Sequence, residues 1–306
     1  MALPNVPKAP AAPKPAETAA KAVDLLAAAK ARTTSKRPKP QEFTLDPDGP
    51  NLVKLALFGQ MNAGKTFFLI GPLLEGERVF VVSTDFGGNG LITLVNELKR
   101  IGRPELVANL RGLDLNEYDH VTEFWKKPLE YAPTLEEFKP TVIVWEGLSP
   151  FQMVIVDEYI LSHAPGADKS GELRHAGFTH TQQDWQGMKR GLMRPLDDFI
   201  AFMLPDGSRP HKIATFHESK LDINEQTQKS EKGVYLQGAA KSMAGGGFDV
   251  ILNCFKDEDK EGNVVHKYRA TGASDKYAVK NRGFALSGVM DADPQKVWRI
   301  LTNKGA

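Results

Sequence analysis

A single cysteine, Cys254, leaves no partner for an intramolecular disulfide and too few thiolates for a cysteine-based zinc site. That scarcity fits a reducing compartment, and the cytoplasm is the expected location. No apolar run approaches the roughly 20 residues that a membrane-spanning helix needs, so no membrane contact is expected. The amino terminus also lacks the apolar stretch of a secretory signal. Charge of one sign is missing too: 39 Lys and Arg against 38 Asp and Glu leave a formal +1. With no bulk field to attract nucleic acid or anionic lipid, any such contact must come from local patches.

Aromatic residues are absent before Phe43, and the same stretch is rich in Ala, Pro and Lys. Such a segment cannot bury enough apolar surface to offset its ordering entropy, so residues 1–45 are expected to be a disordered tail. Lys36, Arg37 and Lys39 make its end basic. A solubilising tail and a non-specific nucleic-acid tether both fit.

What is present reads as one α/β domain over residues 46–290, with a short tail at 291–306. Short apolar runs at 54–58, 78–83 (RVFVVS), 141–145 (TVIVW), 212–216 and 248–255 have the character of buried parallel strands. Between them, Leu91, Leu94, Val95, Leu98 and Ile101 keep helical spacing and end at Gly102. A longer helical stripe runs from Trp185 to Met203 through Pro195, which should bend it. Residues 264–271 alternate after an Asp/Glu/Gly/Asn turn, which predicts a β-hairpin at the sheet edge. Strands separated by helices of this length predict βαβ units and a mostly parallel sheet flanked by helices.

Residues 59–66, Gly59-Gln60-Met61-Asn62-Ala63-Gly64-Lys65-Thr66, fit G-x-x-x-x-G-K-[ST]. The loop has to wrap a phosphate with its backbone N–H groups pointing inward, and glycine tolerates the tightest positions. The helix that follows, from Thr66 and Phe67, presents its N-terminus to the anion. Lys65 should reach the β- and γ-phosphates of ATP, and the Thr66 hydroxyl should ligate Mg²⁺. At glycine's usual abundance a random chain of this length matches the pattern roughly once in a hundred, and here a strand precedes it. Gly71-Pro72 should stop the following helix early.

A phosphate loop of this kind needs a carboxylate on a neighbouring strand for the metal. Glu146 ends an apolar run and is followed by Gly-Leu-Ser, which puts it at a strand's carboxyl edge, where ligands gather in α/β sheets. Most such sites use Asp, so Glu146 leaves room for altered metal geometry. Asp85 ends the segment RVFVVSTD and opens Phe-Gly-Gly-Asn-Gly. It can polarise an attacking water or simply cap a turn. His217, after KIATF, can sense the γ-phosphate or be a surface histidine. His163, His175, His180 and His211 show no metal-ligand spacing.

In order along the chain, the phosphate loop, STDFGG, IVWEGLSPF, QDWQGMKR, ATFHESK and Lys280-Asn281-Arg282-Gly283-Phe284 resemble the RecA/RadA/KaiC group of ATPases. They are most similar to phage-encoded nucleotide-binding proteins of the Sak type, associated with single-strand DNA annealing and recombination. The resemblance covers roughly residues 51–284, and KNRGF looks like the KNRFG element of RadA. It implies a RecA-like core, ATP hydrolysis, a homo-oligomeric ring or filament and contact with single-stranded DNA. It also implies that Lys280 and Arg282 act in trans on a neighbouring subunit's nucleotide. Residues 219–247, with Lys220, Lys229, Lys232, Lys241 and Tyr235, are one candidate for the DNA loop, and residues 163–180 are another. A nucleotide-gated binding module with little hydrolysis, or a P-loop kinase, stays open beside this reading.

Overall fold

The computed structural model describes residues 52–85, 89–156, 182–223, 230–236, 240–270 and 277–304. The tail 1–45, the candidate loop 163–180 and parts of 219–247 lie outside them.

The short apolar runs become the central strands of a sheet, buried along nearly their whole length. The strands are β1 (Lys54–Gly59), β2 (Val79–Ser83), β3 (Leu110–Asp114), β4 (Val142–Glu146), β5 (His211–His217), β6 (Asp222–Ile223), β7 (Ser230–Glu231), β8 (Val250–Glu258), β9 (Val264–Arg269), β10 (Lys280–Asn281) and β11 (Val289–Asp291). The main sheet runs β11-β9-β8-β1-β5-β4-β2-β3, with β10 beside β8; β6 and β7 form a separate ribbon. From β8 to β3 the pairing is parallel; β8–β9, β9–β11 and β8–β10 are antiparallel. This is the mostly parallel, helix-flanked α/β core expected of a RecA-like chain; the expected hairpin is β8–β9, but β11 and not β9 forms the sheet edge. One detail differs. Glu146 sits on β4, which is not the neighbour of β1, because β5 lies between them.

Side chains alternate faces along a strand. In β4, Ile143 and Trp145 join the core layer of Phe58, Phe216 and Phe199, while Val142 and Val144 join the layer of Leu57, Phe68 and Leu94. The second layer lies under α1 (Ile70–Leu74) and its 3₁₀ lead-in Thr66–Leu69, and under α2 (Asn89–Arg100). On the opposite face pack α3 (Gln182–Ala201), which continues through Pro195, and α4 (Ala240–Gly246).

Two helix expectations need correction. Gly71 and Pro72 lie inside α1 and do not stop it. Pro72 falls in the first turn of the α segment, where a missing N–H costs little. Residues 291–306, expected as a tail, contain the last residue of β11 and α5 (Pro294–Thr302). Asp293 caps α5 by accepting from the Lys296 N–H at 2.9 Å, Pro294 occupies its first turn, and Val297, Trp298 and Leu301 are buried. The helix lies against α1 so closely that a Cβ on Gly71 would stand 2.2 Å from the Pro294 carbonyl oxygen. Glu75 at the end of α1 accepts from Gln295 Nε2 (2.6 Å) and Arg299 Nε (2.8 Å). The described residues between 52 and 304 belong to one compact unit. Among the described residues no helix is long and apolar enough to cross a membrane.

Lys212 is an unusual core residue. It is 1% exposed on β5, and its ammonium donates to the Pro210 carbonyl at 3.0 Å. Burial, with Lys54 and Arg209 nearby, lowers its pKa from 10.5 to about 8. Between these values the unfolded chain binds more protons than the folded one, so stability rises with pH from about 8 to about 10.5. Lys212→Met is expected to stabilise the protein by about 1–3 kcal/mol at pH 7. Urea unfolding at pH 7 and pH 10 checks this, with the gain shrinking at the higher pH.

Candidate nucleotide site

The phosphate loop sits where β1 ends against β5 and β8. Its two glycines are required for different reasons. A Cβ on Gly59 would lie 2.1 Å from the Cys254 carbonyl oxygen of β8, so a neighbouring strand excludes any side chain there. Gly64 has φ +89°, a left-handed conformation that favours glycine, and a Cβ there would meet His266 Nδ1 at 3.1 Å. Asn62 also takes a positive φ, 59°, which asparagine tolerates better than most residues.

Alternation decides which strand ends address this loop. Val142 and Val144 lie on the face of the loop and its helix, so Glu146 two residues on lies there too. The same parity places Ser83 after Val79 and Val81, Thr215 and His217 after Ile213, and His266 before Tyr268. These groups meet over the loop in a cavity of about 790 Å³, which Met61 to Phe67 line from below. Gly59 and Gln60 contribute their carbonyls, which accept from Lys65 Nζ at 2.9 and 2.7 Å. The lysine is folded back onto its own loop.

Glu146 Oε1 accepts a hydrogen bond from the Thr66 hydroxyl, joining the end of β4 to the start of the loop helix across β5. Glu146 is 8% exposed. Burial pushes its carboxyl pKa up, the Thr66 hydrogen bond opposes that, and the nearby Asp85 carboxylate adds to the rise. Burial pushes the Lys65 amine down, while Glu146 and Asp85 hold it up. Two hard oxygen donors, a hydroxyl and a carboxylate, thus stand side by side with an ammonium. Mg²⁺ commonly takes one or two protein oxygens and completes its shell with water and phosphate oxygens, so Thr66 and Glu146 fit it. No group of three or more His, Cys, Asp or Glu side chains suited to a metal occurs among the described residues.

Asp85 is exposed beyond the end of β2 and lines the same cavity. The Phe-Gly-Gly stretch after it lies outside the described residues. His217 is half-buried; burial and then Lys65 lower its pKa, which favours the neutral imidazole. Its backbone N–H takes the Ser149 hydroxyl at 3.0 Å as acceptor, which fixes the strand end.

Lys280 and Arg282 do not line the cavity of their own chain. Lys280 on β10 donates to the Gly245 carbonyl at 2.8 Å and to the Phe248 carbonyl, and so ties off the C-terminal end of α4. Arg282 is 62% exposed and 3.8 Å from Asp249. Of the suspected DNA-loop cations, Lys232 pairs with Glu218 at 2.8 Å, and Lys220 is exposed. Lys229 and the side chain of Lys241 lie outside the described residues. Tyr235 is half-buried, with its N–H on the His217 carbonyl at 2.7 Å.

Thr93, Glu97 and Arg100 of α2 and His266 of β9, outside every sequence motif named above, also line the cavity. Helical spacing of 93, 97 and 100 was one available signal, and alternation within the predicted hairpin was the other.

No family model matches the chain, and no curated protein matches it significantly. Solved structures do match. One, described as a crystal structure of the RadB recombinase, aligns over 79% of this chain and 88% of that chain at 12% identity, with a TM-score of 0.40. A likeness of that degree says nothing of function.

Gly59→Ala is expected to fail through the fold before the ligand, because the new methyl meets a backbone carbonyl that cannot turn away. A loss of about 1–3 kcal/mol in urea unfolding, measured without nucleotide, checks this. Unchanged stability with weakened nucleotide affinity would contradict it.

Proposed function

We propose that the protein binds ATP with Mg²⁺ and hydrolyses it, as a RecA-like ATPase assembled from several copies and acting on single-stranded DNA. The observation that carries the nucleotide part is the convergence of Lys65, Thr66 and Glu146 over a glycine loop at the mouth of one cavity. Lys65 leaves its loop carbonyls for the phosphate anion, exchanging neutral acceptors for charged ones. Thr66 and Glu146 hold Mg²⁺, which when bound supplies charge neutralisation at the phosphate oxygens. Asp85, exposed to the cavity, orients and deprotonates the attacking water. His217, which lines the same cavity, is the candidate sensor of the terminal phosphate in this reading.

Assembly enters through Arg282, whose guanidinium is exposed and directed to no part of its own cavity. A cation supplied by a neighbour can contribute roughly 10³–10⁵ in rate. Lys280 is a weaker partner for that role, since its amine already serves two carbonyls of its own chain. The DNA part rests on the resemblance of the sequence motifs, and of the described loop cations only Lys220 is both exposed and outside the ion pairs above.

A nucleotide-gated binding module is the second reading, favoured by one observation. Glu146 replaces the usual Asp, and burial already pushes its carboxyl toward the neutral form. A kinase is less well supported, because Arg190, Arg194 and Arg209 do not line the cavity.

Lys65→Ala should abolish nucleotide binding. Asp85→Asn should keep it and lower turnover by about 10²–10⁴. Arg282→Ala should remove the rise of specific activity with protein concentration. Phosphate release is to be measured without DNA, with single-stranded DNA and with duplex DNA at two salt concentrations. Salt-sensitive stimulation by single strands is the expected result. Tight ATP binding with negligible release under every condition would favour the second reading.

A further inference from the structure

A chain of polar contacts leaves the base of the phosphate loop and ends beside the segment that carries Arg282. It starts at the Gly59 carbonyl, which accepts from two donors, Lys65 Nζ at 2.9 Å and the Glu218 N–H at 3.1 Å. The Glu218 side chain is 7% exposed and does not line the cavity. Its two oxygens go separate ways. Oε1 accepts from Lys232 Nζ at 2.8 Å, and Oε2 accepts at 3.2 Å from Nδ2 of Asn253, a fully buried residue of β8. Asn253 Oδ1 accepts in turn from Arg269 Nη1 at 2.8 Å. Both routes reach Tyr277. The Arg269 guanidinium lies 3.9 Å from the centre of its ring and the Lys232 ammonium 6.0 Å from it. The Ala278 N–H donates to the Lys232 carbonyl at 2.7 Å, and farther along the same segment the Arg282 N–H donates to the Asp249 carbonyl at 3.1 Å.

Resting on the nucleotide reading above, we infer that Glu218 is a positioning residue that couples occupancy of the phosphate loop to the segment 277–282 through Lys232 and Asn253. The switch is Lys65. In the resting site its ammonium shares the Gly59 carbonyl with the Glu218 N–H, and the Glu218 carboxylate is one of the charges that act on it. When Lys65 turns to a phosphate, the Gly59 carbonyl is left to Glu218 alone. The carboxylate also loses part of a positive field, in a place where little water competes, and leans more on its remaining cation. The Glu218–Lys232 pair tightens, and Lys232 draws Ala278 with it through its carbonyl. An occupied loop therefore holds the segment of Arg282 more firmly than an empty one. What is regulated is the placement of the cation assigned above to a neighbouring subunit's site.

The test follows amide hydrogen exchange at Ala278 by NMR in the full-length chain, with and without a non-hydrolysable ATP analogue and Mg²⁺. Calorimetry on the same samples reports binding. The analogue should slow Ala278 exchange in the wild type about five- to tenfold. In Lys232→Met that slowing should vanish, and Lys232→Arg should keep most of it. A merely structural Lys232 would raise exchange by the same factor with and without nucleotide, so an undiminished slowing in Lys232→Met overturns the inference. So does a wild type that binds the analogue with no change at Ala278. If Lys232→Met does not fold, Glu218→Gln takes its place with the same two outcomes. Failure of the wild type to bind the analogue at all would instead overturn the nucleotide reading and this inference with it.

Discussion

Everything at the site depends on a sheet that is covered on both faces. In such a sheet a strand has little room for polar side chains along its length, Lys212 being an exception, so chemistry collects at the carboxyl ends. There the period of two decides which face each group addresses. Val142 and Val144 face the loop helix, and Glu146 follows them onto its side; Trp145, one residue away, is locked into the opposite layer among Phe151 and Phe199. A slip of one residue would bury Glu146 among aromatic rings and send Trp145 into the phosphate site. The registers of β2–β4 and β4–β5 therefore fix the chemistry as much as the fold.

The electrostatics follow from the same burial. Lys65 and Glu146 are each pushed toward their neutral forms by lost solvation, and each is held back by the other's charge. Such a pair is a poor source of stability, because desolvation consumes most of the attraction. On the nucleotide reading proposed above, a polyanion and a divalent cation entering together would give the ammonium and the carboxylate opposite partners of higher charge. The short distances from Lys65 to the Gly59 and Gln60 carbonyls are the resting alternative, with neutral acceptors in place of phosphate.

Features that act within a few residues were legible in the sequence. The glycine loop, the buried strands, the alternation after the Asp259–Asn263 turn and the helix end at Gly102 all state their geometry locally. Features set by distant contacts were not. That β5 separates β1 from β4 is a matter of pairing order, which no run of residues announces. That Lys280 is held within its own chain is not legible locally, because the carbonyls that hold it belong to Gly245 and Phe248, more than thirty positions away. The helix Pro294–Thr302 is a different case. Its cap at Asp293, Pro294 in the first turn and the stripe of Val297, Trp298 and Leu301 were readable, but its position after the last recognised motif disguised it as tail.

The three glycines of the loop and its helix show how far the phosphate cradle is a tertiary product. Gly59 has no side chain because the Cys254 carbonyl of β8 is there, Gly64 lies under His266 of β9, and Gly71 lies under the Pro294 carbonyl of α5. Two of these would pass, from sequence alone, for concessions to the ligand. In the structure each is also a contact point for an element from the last sixth to fifth of the chain. The hairpin presses on the loop from the side of β1 that β5 does not occupy, and α5 presses on the helix that carries Thr66. A change in either element therefore reaches Thr66 and Lys65 through packing, without crossing the sheet. The segment read as a phosphate loop is written in eight consecutive residues, but its shape is imposed by residues about two hundred positions later.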